Sequence, residues 1–162
     1  MRDYKKIARV AISAVAVVAW CCFMFSMSAN DGDTSQGLSD KVCVFFGAWL
    51  FPDLNTTQAV ELMSHAVRKT AHFTEYAVLG MLALNLLHQL GLKLDRLPLA
   101  GIAWACCVVF AASDEIHQSF VPDRSPQITD VCIDAAGALL GVLAFAGVLA
   151  LIARRRRRQG NG

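Results

Sequence analysis

Four stretches of the chain are apolar over a length that suits a bilayer, or nearly so. A hydrocarbon core of about 30 Å needs roughly 20 mostly apolar residues in a helix. Ile7 to Ala29 carries no charge after Arg9. Ala71 to Leu90 is the second stretch. Leu99 to Ala112 is the third, and it runs into a polar end at Ser113 to Gln118. Thr129 to Ala153 is the fourth. The pattern predicts an all-α polytopic membrane protein with four transmembrane helices.

Two shorter features qualify this plan. The first stretch has a basic start, and Ser26-Met-Ser-Ala29 has the small residues of a signal cleavage site. Its apolar run exceeds the 7–15 residues of a usual signal core, so an uncleaved anchor is the better reading. Val42 to Phe51 is apolar but too short to span as a helix, and Pro52 stops it. A short segment in the first outer loop, lying at the interface with Trp49 as an anchor, is expected there. A re-entrant loop is the alternative.

Composition agrees with the pattern. Hydrophobic residues make up 56% of the 162 and charged ones 17%, against roughly 45–50% and 25% in soluble domains. Mean hydropathy is +0.46. These values exclude a disordered chain or a nucleic-acid module, and the length suits one domain. The net charge of +2 conceals a strong asymmetry. Arg2, Lys5, Lys6 and Arg9 open the chain, Lys93 and Arg96 lie between the second and third stretches, and Arg154 to Arg158 begin a basic tail over 154–162. Only Asp3 and Asp95 oppose them, while all other acids fall in the alternate segments. The positive-inside rule then places both termini in the cytoplasm. The arginine run could instead bind nucleic acid or a phosphoinositide, but its position directly after a span favours a topology anchor.

The six cysteines form no CxxC and no zinc-spaced cluster. Cys21, Cys22, Cys106 and Cys107 fall inside spans and read as small packing residues. Cys43 and Cys132 alone could face an oxidising side, where a disulfide between them is one option.

Three polar clusters converge on the outer end of the bundle. Arg68-Lys-Thr-Ala-His72-Phe-Thr-Glu75-Tyr76 opens the second span. Asp114-Glu115-Ile-His117-Gln118 closes the third. Pro122-Asp-Arg124, with Asp130 and Asp134, opens the fourth. His72 with Glu75, and Asp114 with His117, are three apart and so share a helix face. Asp130 and Asp134 are four apart, and Gly137 and Gly141 fall on the same side. Gly137-Ala-Leu-Leu-Gly141 is a GxxxG pattern that lets another helix approach closely. The acidic face of the fourth span is therefore expected to point into the bundle. Asn85 and His88 read as polar residues at the inner end of the second span.

Ionisable groups inside a membrane are costly, and they mark function by default. The plainer reading is a structural ion network in which Arg68, Lys69 and Arg124 neutralise the acids. Three chemistries suit the set. A histidine beside a carboxylate can act as a general base. Two histidines and several carboxylates could hold a divalent metal, although no HExxH is present. Carboxylates and histidines can also relay protons in a transporter. Against that, the clusters lie at one surface and not at the midplane.

The blocks RKTAHFTEYAVLGML and SDEIHQSFVPDRSPQITDVCIDAAGALLG resemble the VanZ-like family of bacterial membrane proteins over residues 68–141. Carried over by position, the family's motif residues fall on His72, Glu75, Tyr76, Asp114, Glu115, Gln118, Arg124, Asp130 and Asp134. Two departures flank Arg124: Asp123 stands where a glycine is common, and Pro126 where a small flexible residue is common. Both put the presentation of Arg124 in doubt. The resemblance implies a small multi-pass protein of the bacterial cytoplasmic membrane. The family's name member is linked to low-level teicoplanin resistance.

The expected function is therefore an envelope-facing membrane protein acting on, or binding, a lipid-linked, cell-wall-related or glycopeptide ligand. In the enzymatic version His72 or His117 is the base. Glu75, Asp114 and Glu115 assist catalysis, by orienting the bases or holding a metal. Arg124, Tyr76, Gln118, Asp130 and Asp134 contact the substrate. A non-catalytic binding scaffold and a proton-coupled transporter are the alternatives. Beyond the bilayer and that ligand no partner is implied, and no nucleic acid is expected.

Overall fold

The computed structural model describes residues 2–29, 56–119 and 127–160. These contain four helices and no strand. They are α1 (Arg2–Ala29), α2 (Thr56–Leu90), α3 (Arg96–Gln118) and α4 (Ile128–Gly160). The segment Val42 to Phe51, with Cys43, and the turn carrying Pro122, Asp123, Arg124 and Pro126 lie outside the described residues.

Three of the four are long and apolar enough to cross a membrane: Tyr4–Met27 in α1, Arg96–His117 in α3 and Ile128–Gln159 in α4. The second predicted span lies in α2, which falls short of that mark because His72, Glu75, Asn85, His88 and Gln89 interrupt its apolar residues. Its placement explains how those residues are tolerated. α2 packs against all three other helices, so much of its surface meets protein instead of lipid. α2 also begins well before Ala71. Its 35 residues extend about 52 Å at 1.5 Å per residue. Hydropathy marks where a bilayer would start, whereas the helix runs on through Thr56 to Thr70, which contain no proline or glycine.

Cross-helix contacts set the topology. Trp20 of α1 reaches Glu75 of α2, and Ser13 reaches Asn85, so these helices are antiparallel. Lys69 meets Asp130 and His72 meets Asp134, so α2 and α4 run parallel. Trp104 bonds Ala135, and Glu115 bonds Gln127, so α3 and α4 are antiparallel. The start of α1 and the end of α4 therefore share one end of the bundle.

The core is built from small residues. Ala103, Ala111 and Ala138 are fully buried, with Tyr76, Leu79, Cys107 and Val142 around them. Gly137 and Gly141 of α4 lie directly on α2. A Cβ on either would overlap a backbone carbonyl, that of Phe73 or Ala77 respectively. Gly80 of α2 does the same in return against Ala138. Such close approach is how helices gain packing energy in lipid, where burial of apolar surface supplies none. The outside is apolar in turn: Ile7, Ile12, Val15 and Val18 of α1, and Leu139, Leu140 and Leu143 of α4, are all exposed.

Candidate functional site: a His72–Asp134 centre between α2 and α4

The stripe Lys69, His72, Phe73, Tyr76, Ala77 and Gly80 follows helical spacing along α2. Opposite it on α4 run Asp130, Asp134, Gly137, Ala138 and Gly141. The glycines remove side chains from the contact, and this brings the polar residues one turn above into register.

The outermost level is an ion pair between Lys69 Nζ and Asp130 Oδ1, each side chain partly buried. The next level is His72 with Asp134. Nδ1 of the imidazole lies 3.7 Å from Oδ1 of the carboxylate. The His72 side chain is 17% exposed and that of Asp134 only 1%. Below them the Tyr76 hydroxyl is buried. His72 Nδ1, Tyr76 Oη and Asp134 Oδ1 have no hydrogen-bond partner among the described residues. Leaving such an atom unsatisfied costs about 1–3 kcal/mol. Three in one place are an accumulation that packing alone does not explain.

Other carboxylates gather around the same point. Asp114 and Glu115 of α3 are both buried. Together with Asp130 and Glu75 they bear electrostatically on Asp134, Asp114 most strongly. Asp114 also bears on Tyr76. Glu115 has a defined partner: its Oε2 accepts from the backbone N–H of Gln127 at 2.9 Å, just before α4 begins. A carboxylate at this position satisfies an otherwise free donor and complements the helix dipole. Trp20 and Trp104 brace the backbone on either side. Trp20 Nε1 donates to the Glu75 carbonyl at 3.0 Å, and Trp104 Nε1 to that of Ala135 at 2.9 Å.

A shallow cleft leads to His72. It holds about 320 Å³ of empty space, part of it open to solvent, and is lined by Arg68, Lys69, His72, Gln127, Asp130 and Ile133.

His72, Tyr76, Asp114, Glu115, Asp130 and Asp134 thus lie in one region, and Glu75 acts on it at longer range. His117 has a different neighbour: its ring lies against Phe25 of α1, with centroids 4.3 Å apart. Gln118 is the last residue of α3. Arg124 is outside the described residues. Lys69 and Gln127 were not among the expected site residues. Lys69 was expected only as a cation that neutralises the acids, and its pairing with Asp130 does that. Gln127 acts through its backbone, which side-chain chemistry does not reveal.

Among the described residues no three His, Cys, Asp or Glu side chains come together in a way that could hold a metal ion. Cys132 is exposed and Cys107 is buried. Asn85 is more than a helix-end polar residue, because its Nδ2 donates to the buried Ser13 Oγ at 3.1 Å.

A search of curated proteins and of solved structures gives no significant match. The VanZ/LLP1 family matches residues 13–152, which include α2, α3, the later part of α1 and the apolar part of α4. On that match and on its helical membrane architecture, the chain belongs to the VanZ/LLP1 family.

Proposed function

We propose that the protein is a four-span protein of the bacterial cytoplasmic membrane with both termini in the cytoplasm. The His72–Asp134 centre would face the extracytoplasmic side. There it binds or modifies a lipid-linked or cell-wall-related ligand and lowers susceptibility to teicoplanin-type lipoglycopeptides. The observation that carries this reading is the group of buried polar atoms on His72, Tyr76 and Asp134 that lack a hydrogen-bond partner among the described residues, with His72 lining an open cleft. A ligand hydroxyl or phosphate entering the cleft would meet His72, with Arg68 and Lys69 beside it.

In the catalytic version His72 is the base. Asp134 orients its ring through Nδ1, which leaves Nε2 for the ligand. Tyr76 offers a hydroxyl that can donate or accept. Asp114 and Glu75 shape the local charge, and Arg124 and Gln118 contact the ligand. His117 is the second candidate base. The proton-coupled transporter remains weaker, because the polar residues cluster at one end.

A non-catalytic scaffold is favoured by two other observations. Asp130 is paired with Lys69, and Glu115 is bonded at the start of α4, so both have structural work.

Teicoplanin susceptibility separates these readings. A sensitive host would express wild type, His72→Ala, Asp134→Asn, Glu75→Gln or Asp114→Asn at matched membrane levels. Protection by wild type that the His72 and Asp134 variants lose supports the site. Protection that survives every substitution makes the cluster structural. No protection from wild type removes the resistance phenotype from the proposal.

A further inference from the structure

The end of the bundle opposite the His72 centre carries a concentration of exposed positive charge. Lys5, Lys6 and Arg9 at the start of α1, Lys93 and Arg96 around the α2–α3 turn, and Arg154 to Arg158 on α4 are all exposed. Helix directions bring them to one end of the bundle. Lys6 lies against Gly91 in that turn, where a Cβ would come within 3.2 Å of its Nζ. Asp95 is the acidic residue whose side chain is described here, and none of these bases has a carboxylate partner among the described residues.

The arginines are arranged in a particular way. α4 continues as a helix to Gly160, so Arg154 to Arg158 have helical positions. Successive residues turn by about 100°, so five in a row point in every direction around the axis. From first to last they rise about 6 Å. A head-group layer is roughly 5–8 Å deep on each side of the hydrocarbon core. Holding a helix end on one side of a membrane requires an excess of positive charge, but it does not require that charge to surround the helix. Arg154 and Arg158, four apart, also repel one another along the helix. Anions placed between the guanidinium groups offset that repulsion, and arginine suits phosphate oxygens in particular.

We propose that this end is a ring-shaped binding surface for the phosphate head groups of acidic phospholipids in the adjacent leaflet. Lys5, Arg9, Lys93 and Arg96 add positive charge at the same end of the other helices. The arginines follow the apolar helix without a linker, which sets them at head-group depth. This favours lipid over a soluble polyanion such as an oligonucleotide. The proposal does not depend on the His72 site.

The test uses the full chain reconstituted in bilayers, with spin-labelled phosphatidylglycerol and phosphatidylcholine as probes of the lipid next to the protein. At low salt phosphatidylglycerol should be preferred by about fivefold per base engaged, the factor expected for a base near an anionic surface. The preference should fall towards parity at 1 M salt, where the Debye length is about 3 Å. Combining Arg154→Gln, Arg156→Gln and Arg158→Gln should remove most of it, whereas the matching lysine substitutions should keep it. Equal association of the two lipids with wild type at low salt overturns the proposal. So does a preference that the glutamine variant retains, or an oligonucleotide that displaces the acidic lipid. If the glutamine variant does not assemble, the salt response of the wild type decides the question.

Discussion

His72 Nδ1 and Asp134 Oδ1 face each other at 3.7 Å across the parallel α2–α4 interface. That distance is too long for a hydrogen bond. A small inward movement of either side chain would close it. The carboxylate is almost fully buried while the imidazole reaches the cleft, so the pair joins the protein interior to an accessible surface.

Asp134→Asn tests this relationship with little change of shape. The amide avoids the cost of a buried charge, so stability should stay within about 1 kcal/mol of wild type or rise. Any ligand-dependent phenotype should be lost. Thermal unfolding in detergent, read beside teicoplanin susceptibility, checks both parts.

Gly137→Ala and Gly141→Ala should both destabilise the bundle. The new methyl would meet the Phe73 or Ala77 carbonyl, and backbone cannot rotate away as a side chain can. Overpacking of this kind costs roughly 1–3 kcal/mol. Gly147→Ala is the control, since nothing lies within 4 Å of a Cβ there. Thermal unfolding should show a loss for the first two and no loss for the third.

Lys69 and Asp130 form a pair whose side chains are 29% and 25% exposed. Partial solvation limits its worth to about 1 kcal/mol or less. A double-mutant cycle with Lys69→Met and Asp130→Asn should give a coupling of that size. A much larger coupling would mean that the pair is screened far less than its exposure suggests.

The Asn85–Ser13 hydrogen bond joins α1 to α2 inside the bundle. Ser13→Ala should cost about 0.6 kcal/mol, the average for such bonds in membrane proteins. Asn85→Leu should cost more, because it also removes the acceptor of Gln89 and leaves Ser13 without its donor. Unfolding equilibria of the two single variants measure the difference.

Much of the outline was legible from linear pattern. The apolar lengths of α1, α3 and α4 follow from hydropathy, which depends only on local composition. The inward acidic face of α4 followed from Asp130, Asp134, Gly137 and Gly141 sharing one side of a helix, and their contacts with α2 agree. The helix of α2 extends beyond its apolar stretch to Thr56, and hydropathy does not mark that extension because a polar helix does not differ from a loop on such a scale.

The sequence by itself determined which residues are costly in a membrane and towards which end of each helix they lie. Helical spacing then limited which of them could be neighbours within one helix. It could not choose between helices. His72 and Glu75 are neighbours by spacing, yet the group opposite His72 Nδ1 is Asp134, 62 positions along the chain. His117 shares a face with Asp114 by spacing, yet its ring rests on Phe25. Those choices depend on how closely α2 and α4 approach, and the carbonyl contacts at Gly80, Gly137 and Gly141 set that distance. Only the assembled bundle decides them, because a side chain's partner is fixed by the neighbouring backbone it meets.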